Sequence, residues 1–186
     1  MTDFPQAKVF IETGFGNGAT LRNAVNQPFE AIHSIEIDRT LFEAGEHEFM
    51  GHGHVTLHCG DSRAVLPHII TPAKTTAFWL DAHWSGGNFG ESTPGDECPL
   101  TGELEIIADA DWKQKPLIMV DDADFFNGLW WTTHPEGEPY HENAWPTLDE
   151  IRDLLQDYEV HDWAGVLVCV PPGYSGRVTV AGRQFP

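Results

Sequence analysis

Short apolar runs that alternate with helical patterns constrain this chain more than any other feature of its sequence. Strand-like runs fall at 8–12, 31–36, 55–59, 76–81, 116–121, 158–163 and 166–170, several of them almost continuously apolar. Runs of that kind fit strands covered on both faces. Helix-like stretches at 19–26, 40–49, 63–70 and 100–110 separate the first five. Another, 146–156, opens with Pro146 and acids in its first turn, a pattern that starts helices. Regular β–α alternation predicts an α/β chain with a parallel, doubly wound, Rossmann-like sheet. The last two runs break the rhythm, because only Ala164-Gly165 lies between them. They predict an antiparallel C-terminal hairpin at the sheet edge. The expected architecture is therefore a seven-stranded sheet, five parallel β–α units followed by that hairpin. With 186 residues, no internal repeat and no linker-like tract, the chain reads as one domain spanning 1–186.

The turn after the first run is the most specific local signal. In Val9-Phe-Ile-Glu-Thr-Gly-Phe-Gly-Asn-Gly-Ala-Thr20 an apolar run ends in Glu12, and Gly14, Gly16 and Gly18 follow at alternate positions before a helical pattern begins. Such glycines tolerate positive φ and let a ligand approach the backbone. The second run ends in Glu36 and Asp38, where an acid can hydrogen-bond a ribose diol. The two strand tips together read as a nucleoside-cofactor site. An ordinary β–α turn would also account for the glycines, and their spacing departs from G-x-G-x-x-G because the third comes one residue early. A pyrophosphate prefers free N–H groups with no anion nearby; Glu12, just ahead of the turn, suits a cationic or zwitterionic ligand better.

A second constellation closes the fourth and fifth runs: Asp81, then Asp121 and Asp122. Carboxylates crowded on neighbouring strand tips repel one another unless a proton or a cation intervenes. Oxygen donors of this kind suit Mg²⁺, which lowers the pKa of a bound hydroxyl. Capping of helices and loop amides is the alternative role for such acids. His83 follows Asp81 by two residues and reads as a general base, a metal ligand or an ordinary loop histidine. His47, His52, His54 and His58 match no zinc spacing and read as a solvated face. Cys98, beside Pro99 at a helix start, has no identifiable partner base. Two connections, 83–99 and 122–145, are long for plain links, and the second carries Phe125, Phe126, Trp130, Trp131, Tyr140 and Trp145. Long loops at the carboxyl ends of parallel strands are where such sheets bind ligands. The aromatics read either as a substrate wall or lid, or as cover for the sheet edge or a second copy of the chain in a homodimer.

Composition narrows the partners. Ten Lys+Arg against 29 Asp+Glu give a formal charge of −19, a field that repels nucleic acid and anionic membranes alike. Three cysteines are too few and scattered for a disulfide framework. The first residues show no charged-then-apolar secretory pattern, and no apolar stretch approaches membrane length, so a cytoplasmic setting is expected.

From Val9 to about Pro171 the chain resembles the class I S-adenosylmethionine-dependent methyltransferases. Glu12-Thr-Gly-Phe-Gly-Asn-Gly18 is similar to their first motif, which implies that Glu12, Thr13, Gly14, Gly16 and Gly18 hold the methionine part of the cofactor. Ser34-Ile-Glu-Ile-Asp38 is similar to the second, with Glu36 in the ribose-binding place. Gly60-Asp-Ser62 looks like the turn whose Asp61 and Ser62 would contact adenine. Asp81 with Asp121 and Asp122 resembles the metal triad of cation-dependent O-methyltransferases, Asp81 also bordering the cofactor. In the catechol type a lysine three residues past the first metal acid acts as base, and Trp84 stands there in this chain. The macrocin-type sugar enzymes place the catalytic residue two past that acid, where His83 stands. The resemblance implies S-adenosylmethionine and Mg²⁺ as cofactors, a small-molecule hydroxyl (a sugar or natural product) as acceptor, and His83 and Asp81 as catalytic residues. Two other readings fit the same residues: a non-catalytic cofactor-binding module that docks a partner through its tryptophan-rich loop, and a metal-dependent enzyme on this fold that transfers no methyl group.

Overall fold

In the computed structural model, residues 7–84, 97–133, 144–180 and 182–184 are described. The chain runs β1 (Val9–Thr13), α1 (Ala19–Ala24), β2 (Ala31–Glu36), α2 (Arg39–Phe49), β3 (Val55–Cys59), α3 (Ser62–Ile69), β4 (Thr76–Leu80), α4 (Leu100–Asp109) and β5 (Leu117–Val120). Two short helices follow, α5 (Ala123–Phe126) and α6 (Leu129–Thr133), then α7 (Leu148–Leu154), β6 (Glu159–Trp163) and β7 (Val166–Val170). A small hairpin of β8 (Thr179–Val180) and β9 (Arg183–Gln184) closes the chain.

The main sheet has seven strands in the order β3-β2-β1-β4-β5-β7-β6. The first five are parallel; β7 runs antiparallel to β5, and β6 pairs antiparallel with β7 at the edge. The expected architecture is thus the observed one. The hairpin inserts its second strand against β5, leaving β6 outermost. Its two-residue turn puts Ala164 at φ 57° and Gly165 at φ 82°, the double positive φ that matches the twist of the flanking strands.

Alternate residues of each strand feed opposite layers. Val9, Ile11, Phe78, Leu80, Ile118 and Val120 pack with Leu66 of α3, Leu104 and Ile107 of α4 and Ile151 of α7. Phe10, Ile32, Ala77, Leu117, Met119 and Val168 pack with Leu21 of α1, Phe49 of α2 and Val178 from the C-terminal segment. Both faces of β1, β4 and β5 are buried, as their continuous apolar runs demand.

The structure departs from the sequence reading at α7, in the aromatic connection and in the β8–β9 hairpin, which was not expected. Helix α7 begins after Pro146, at a reciprocal capping box: Glu150 N–H donates to Thr147 Oγ1 at 3.3 Å, and Thr147 N–H donates to Glu150 Oε2 at 2.7 Å. Two satisfied backbone donors outweigh proline's preference for the first helical position. The aromatic connection after β5 also carries helical structure, α5 and α6, where no helix was expected. Residues 85–96 and 134–143, with Tyr140, lie outside the described residues.

Candidate active site

Parallel strands that end together present their carboxyl tips as one rim. At the tip of β1 the glycine turn closes on its neighbours. Gly14 takes φ 80° and Gly16 φ 52°. A Cβ at Gly14 would stand 2.1 Å from the Asp81 carbonyl oxygen, so the turn touches the end of β4 backbone to backbone. A Cβ at Gly16 would meet nothing within 4 Å; the turn is open on that side.

Glu36 at the tip of β2 braces the turn from the other flank. Its Oε2 accepts the Gly16 N–H at 2.9 Å and its Oε1 accepts the Asp38 N–H at 2.8 Å. Burial raises its pKa and the backbone donors oppose that rise. Asp38 in turn caps α2, accepting from the N–H groups of Thr40 and Leu41.

Glu12 is sunk in the sheet, beside its register partner Ser34, whose hydroxyl donates to Glu12 Oε2. Burial pushes its pKa up to about 8, against the lowering effect of Ser34 and with help from the charges of Asp81 and Glu36. At neutral pH Glu12 is therefore mostly protonated, a neutral group beneath the turn. Thr13, fully buried, accepts the Asp81 N–H through Oγ1 at 3.3 Å.

After β3, Asp61 caps α3 through the Arg63 N–H at 2.9 Å. The Arg63 guanidinium grips the same carboxylate, Nε to Oδ1 at 3.0 Å and Nη2 to Oδ2 at 2.7 Å. Ser62 is buried in the first turn of that helix.

The tips of β4 and β5 bring Asp81, His83 and Asp122 together: one ligand atom from each lies within 4.8 Å of the others. His83 Nε2 stands 2.9 Å from Asp122 Oδ2 and His83 Nδ1 stands 3.5 Å from Asp81 Oδ1. A carboxylate only accepts, so the shorter contact places the proton on Nε2. Asp122 reaches the imidazole from a left-handed backbone, φ 54° and ψ 50°, a conformation that costs a non-glycine residue about 1–2 kcal/mol. Asp121 is not one of these three groups, although its charge acts on Asp81 and His83; its Oδ1 accepts the Asp122 N–H at 2.9 Å.

These groups set one another's protonation. Burial pushes Asp81 up to about 7, with Asp121 and Asp122 adding to the rise and His83 opposing it. Burial alone would lower His83. The hydrogen bond to Asp122 and the charges of Asp81, Asp122 and Asp121 outweigh it, and the imidazole titrates above its ordinary value. The same hydrogen bond holds Asp122 below the usual carboxylate range.

The aromatic segment walls this cluster. Phe125 stacks between Trp145, at 4.2 Å between ring centroids, and Trp130, at 4.6 Å. Trp145 lies 5.1 Å from the His83 ring, and the His83 side chain is only 7% exposed. Trp131 Nε1 donates to the Phe125 carbonyl and Trp145 Nε1 to Glu97 Oε2. These rings thus act both as core and as the shield that makes His83's charged neighbours felt.

One acid escaped the sequence reading. Glu103 of α4 is 1% exposed and faces the hydroxyls of Ser62 and Thr13. Burial pushes it up to about 7, against the lowering effect of both hydroxyls. Its signal was present: Leu100, Glu103, Leu104 and Ile107 occupy the i, i+3, i+4 and i+7 places of an apolar helix stripe, with one carboxyl among them. A groove of about 580 Å³ runs along the edge strand β6, lined by Glu159, Trp163, Pro171 and Tyr174.

No protein-family model matches the chain, and no curated protein sequence matches it. Solved structures do share its fold. A SAH-bound (S-adenosylhomocysteine) methyltransferase from Podospora anserina gives a TM-score of 0.59 at 17% identity, over 88% of this chain and 71% of that one. The geranyl diphosphate C-methyltransferase of Streptomyces coelicolor gives 0.50 at 11% identity, over 86% and 54%. Spermidine synthase from Thermotoga maritima gives 0.54 at 12% identity, over 89% and 52%. The chain thus spans about half the length of the last two. At these identities the shared property is the fold. It is that of the Rossmann-like S-adenosylmethionine-dependent methyltransferases, a fold that a spermidine synthase also uses.

No helix among the described residues is long and apolar enough to cross a membrane.

Proposed function

We propose that the chain is an S-adenosylmethionine-dependent methyltransferase acting on a hydroxyl of a small molecule, a sugar or natural product. One observation carries the reading. The glycine turn is bonded to Glu36, packed on Asp81 and thereby set beside a histidine clasped by two carboxylates. Bound in the turn, the cofactor would supply an already activated sulfonium methyl group. Glu36 keeps acceptor capacity beside its backbone bonds and would take the ribose hydroxyls. Asp61 and Ser62 would border the adenine. His83, its Nε2 proton committed to Asp122, would accept the acceptor's hydroxyl proton at Nδ1, on the side facing Asp81. Its raised pKa means that the base form, and with it the rate, grows as pH climbs past that value. The acidic charge of the chain supports a small-molecule acceptor over a nucleic acid.

The Asp81, His83 and Asp122 donors also fit a divalent cation. Two carboxylate oxygens suit Mg²⁺, and the imidazole nitrogen extends the set toward Mn²⁺ or Zn²⁺. Held there, such an ion would acidify a bound hydroxyl, and His83 would serve as ligand instead of base. This donor set also supports a second reading, a metal-dependent enzyme on this fold with another reaction.

Calorimetric titration with SAH, followed by turnover with and without EDTA, separates the readings. The wild type should bind SAH, Glu36→Ala should weaken it at least tenfold, and Asp81→Ala should remove turnover while largely keeping SAH binding. Undetectable SAH binding beside tight divalent-ion binding would overturn the methyltransferase reading in favour of the second.

A further inference from the structure

Glu103 is a carboxyl in a place built for an apolar side chain. Its stripe neighbours on α4, Leu100, Leu104 and Ile107, are all buried in the core. Glu103 Oε1 and Ser62 Oγ are both buried and the Ser62 hydroxyl acts on the carboxyl, yet among the described residues neither atom completes a hydrogen bond of full geometry. Burying a carboxyl is costly, and apolar replacements of buried ionic groups are often neutral or stabilising. Packing therefore gives no reason for an acid here.

Its surroundings supply one. Gly102, the preceding residue, leaves room for the Arg63 side chain of α3, since a Cβ there would stand 2.8 Å from Arg63 Cδ. The Glu103 carboxyl lies within reach of two hydroxyls of the rim. Ser62 lies next to the Asp61 cap at the start of α3. Thr13 ends β1, directly before the glycine turn, and its Oγ1 already accepts the Asp81 N–H. With that lone pair used, the Thr13 proton is available to Glu103. Asp61 and Arg63 are the charged groups that face it.

We infer that Glu103 is a positioning residue of the nucleoside site, tying the tip of β1 through Thr13 to the first turn of α3 through Ser62, so that both ends of a bound nucleoside meet a preset frame. The inference rests on the proposed cofactor reading. Glu103 touches neither cofactor nor acceptor; it acts through the two hydroxyls.

The test uses Glu103→Gln and Glu103→Leu, with SAH affinity from calorimetry and the melting temperature of the ligand-free protein. Both variants should bind SAH at least tenfold more weakly. Glu103→Leu, which removes the desolvated acid, should at the same time melt no lower than the wild type. Weaker binding without lost stability is a signature that a merely structural role does not produce. The loss caused by Glu103→Gln should also shrink in a Ser62→Ala background, because the shared contact is already gone. SAH affinity within twofold of wild type in both variants would overturn the inference alone, as would an affinity loss that only tracks a loss of stability in both. A wild type that fails to bind SAH would overturn the cofactor reading and this inference with it.

Discussion

Gly14→Ala tests how closely the glycine turn is packed on β4. The added Cβ would lie 2.1 Å from the Asp81 carbonyl oxygen and 2.6 Å from its carbon. Both are backbone atoms that no rotamer change can clear. The residue also sits at φ 80°, where an L side chain costs about 1–2 kcal/mol. Displacing a packed strand end adds overpacking strain of about 1–3 kcal/mol. Together these give a destabilisation of about 2–5 kcal/mol. Gly16 is the internal control: it has φ 52°, and a Cβ there meets nothing within 4 Å. Gly16→Ala should therefore show only the conformational part, about 1–2 kcal/mol. At about 2–4 °C per kcal/mol for a chain of this size, thermal unfolding resolves the two. Urea unfolding should show the difference in midpoint with unchanged slope. Equal losses in the two variants would refute the backbone contact between the turn and Asp81. The set separation between the glycine turn and Asp81 that the proposed function uses would go with it.

Other perturbations probe the charges. Glu12 titrates near 8 in the fold against a usual 4.5, so the folded chain keeps a proton that the unfolded chain has released. Stability from this group is full below the unfolded value and falls as pH rises through the window from 4.5 to about 8. Glu12→Gln should flatten that decline, melting higher than the wild type in alkaline buffer; parallel melting curves across the window would contradict it. Asp122→Asn should lower the His83 pKa in an NMR titration, because it removes the negative charge and leaves a neutral, weaker amide acceptor in place of the carboxylate that raises it. An unchanged His83 titration would place the source of the shift elsewhere.

The elements themselves were legible because the signals that make them are local. Strand periodicity, the hairpin turn at Ala164-Gly165 and the glycine turn are written in adjacent residues. So were the acids at the tips of β2, β4 and β5, since a polar residue ending an apolar run marks where a strand leaves the core. Less legible was what each acid does. Glu12 reads in sequence as a charge for a cationic ligand. In the fold it lies beside Ser34 on the next strand, and burial keeps it protonated. The aromatics after β5 read equally as lid or cover; the stack of Trp130, Phe125 and Trp145 forms core and a wall against His83 together.

The sequence alone thus determined the order and kind of the seven main strands and the helices between the first five, and which strand tips carry acids, because hydrophobic periodicity and turn chemistry act over a few residues. Tertiary structure alone decided which side chains meet. Asp122, and not its neighbour Asp121, joins Asp81 and His83, because a left-handed residue at the tip of β5 turns its carboxylate toward the imidazole. Glu103 of α4 comes under the influence of Ser62 and Thr13, residues of two other elements, only in the fold. Proton affinities followed from the same contacts, since desolvation and Coulomb fields depend on neighbours distant in sequence and only a few ångströms away in space.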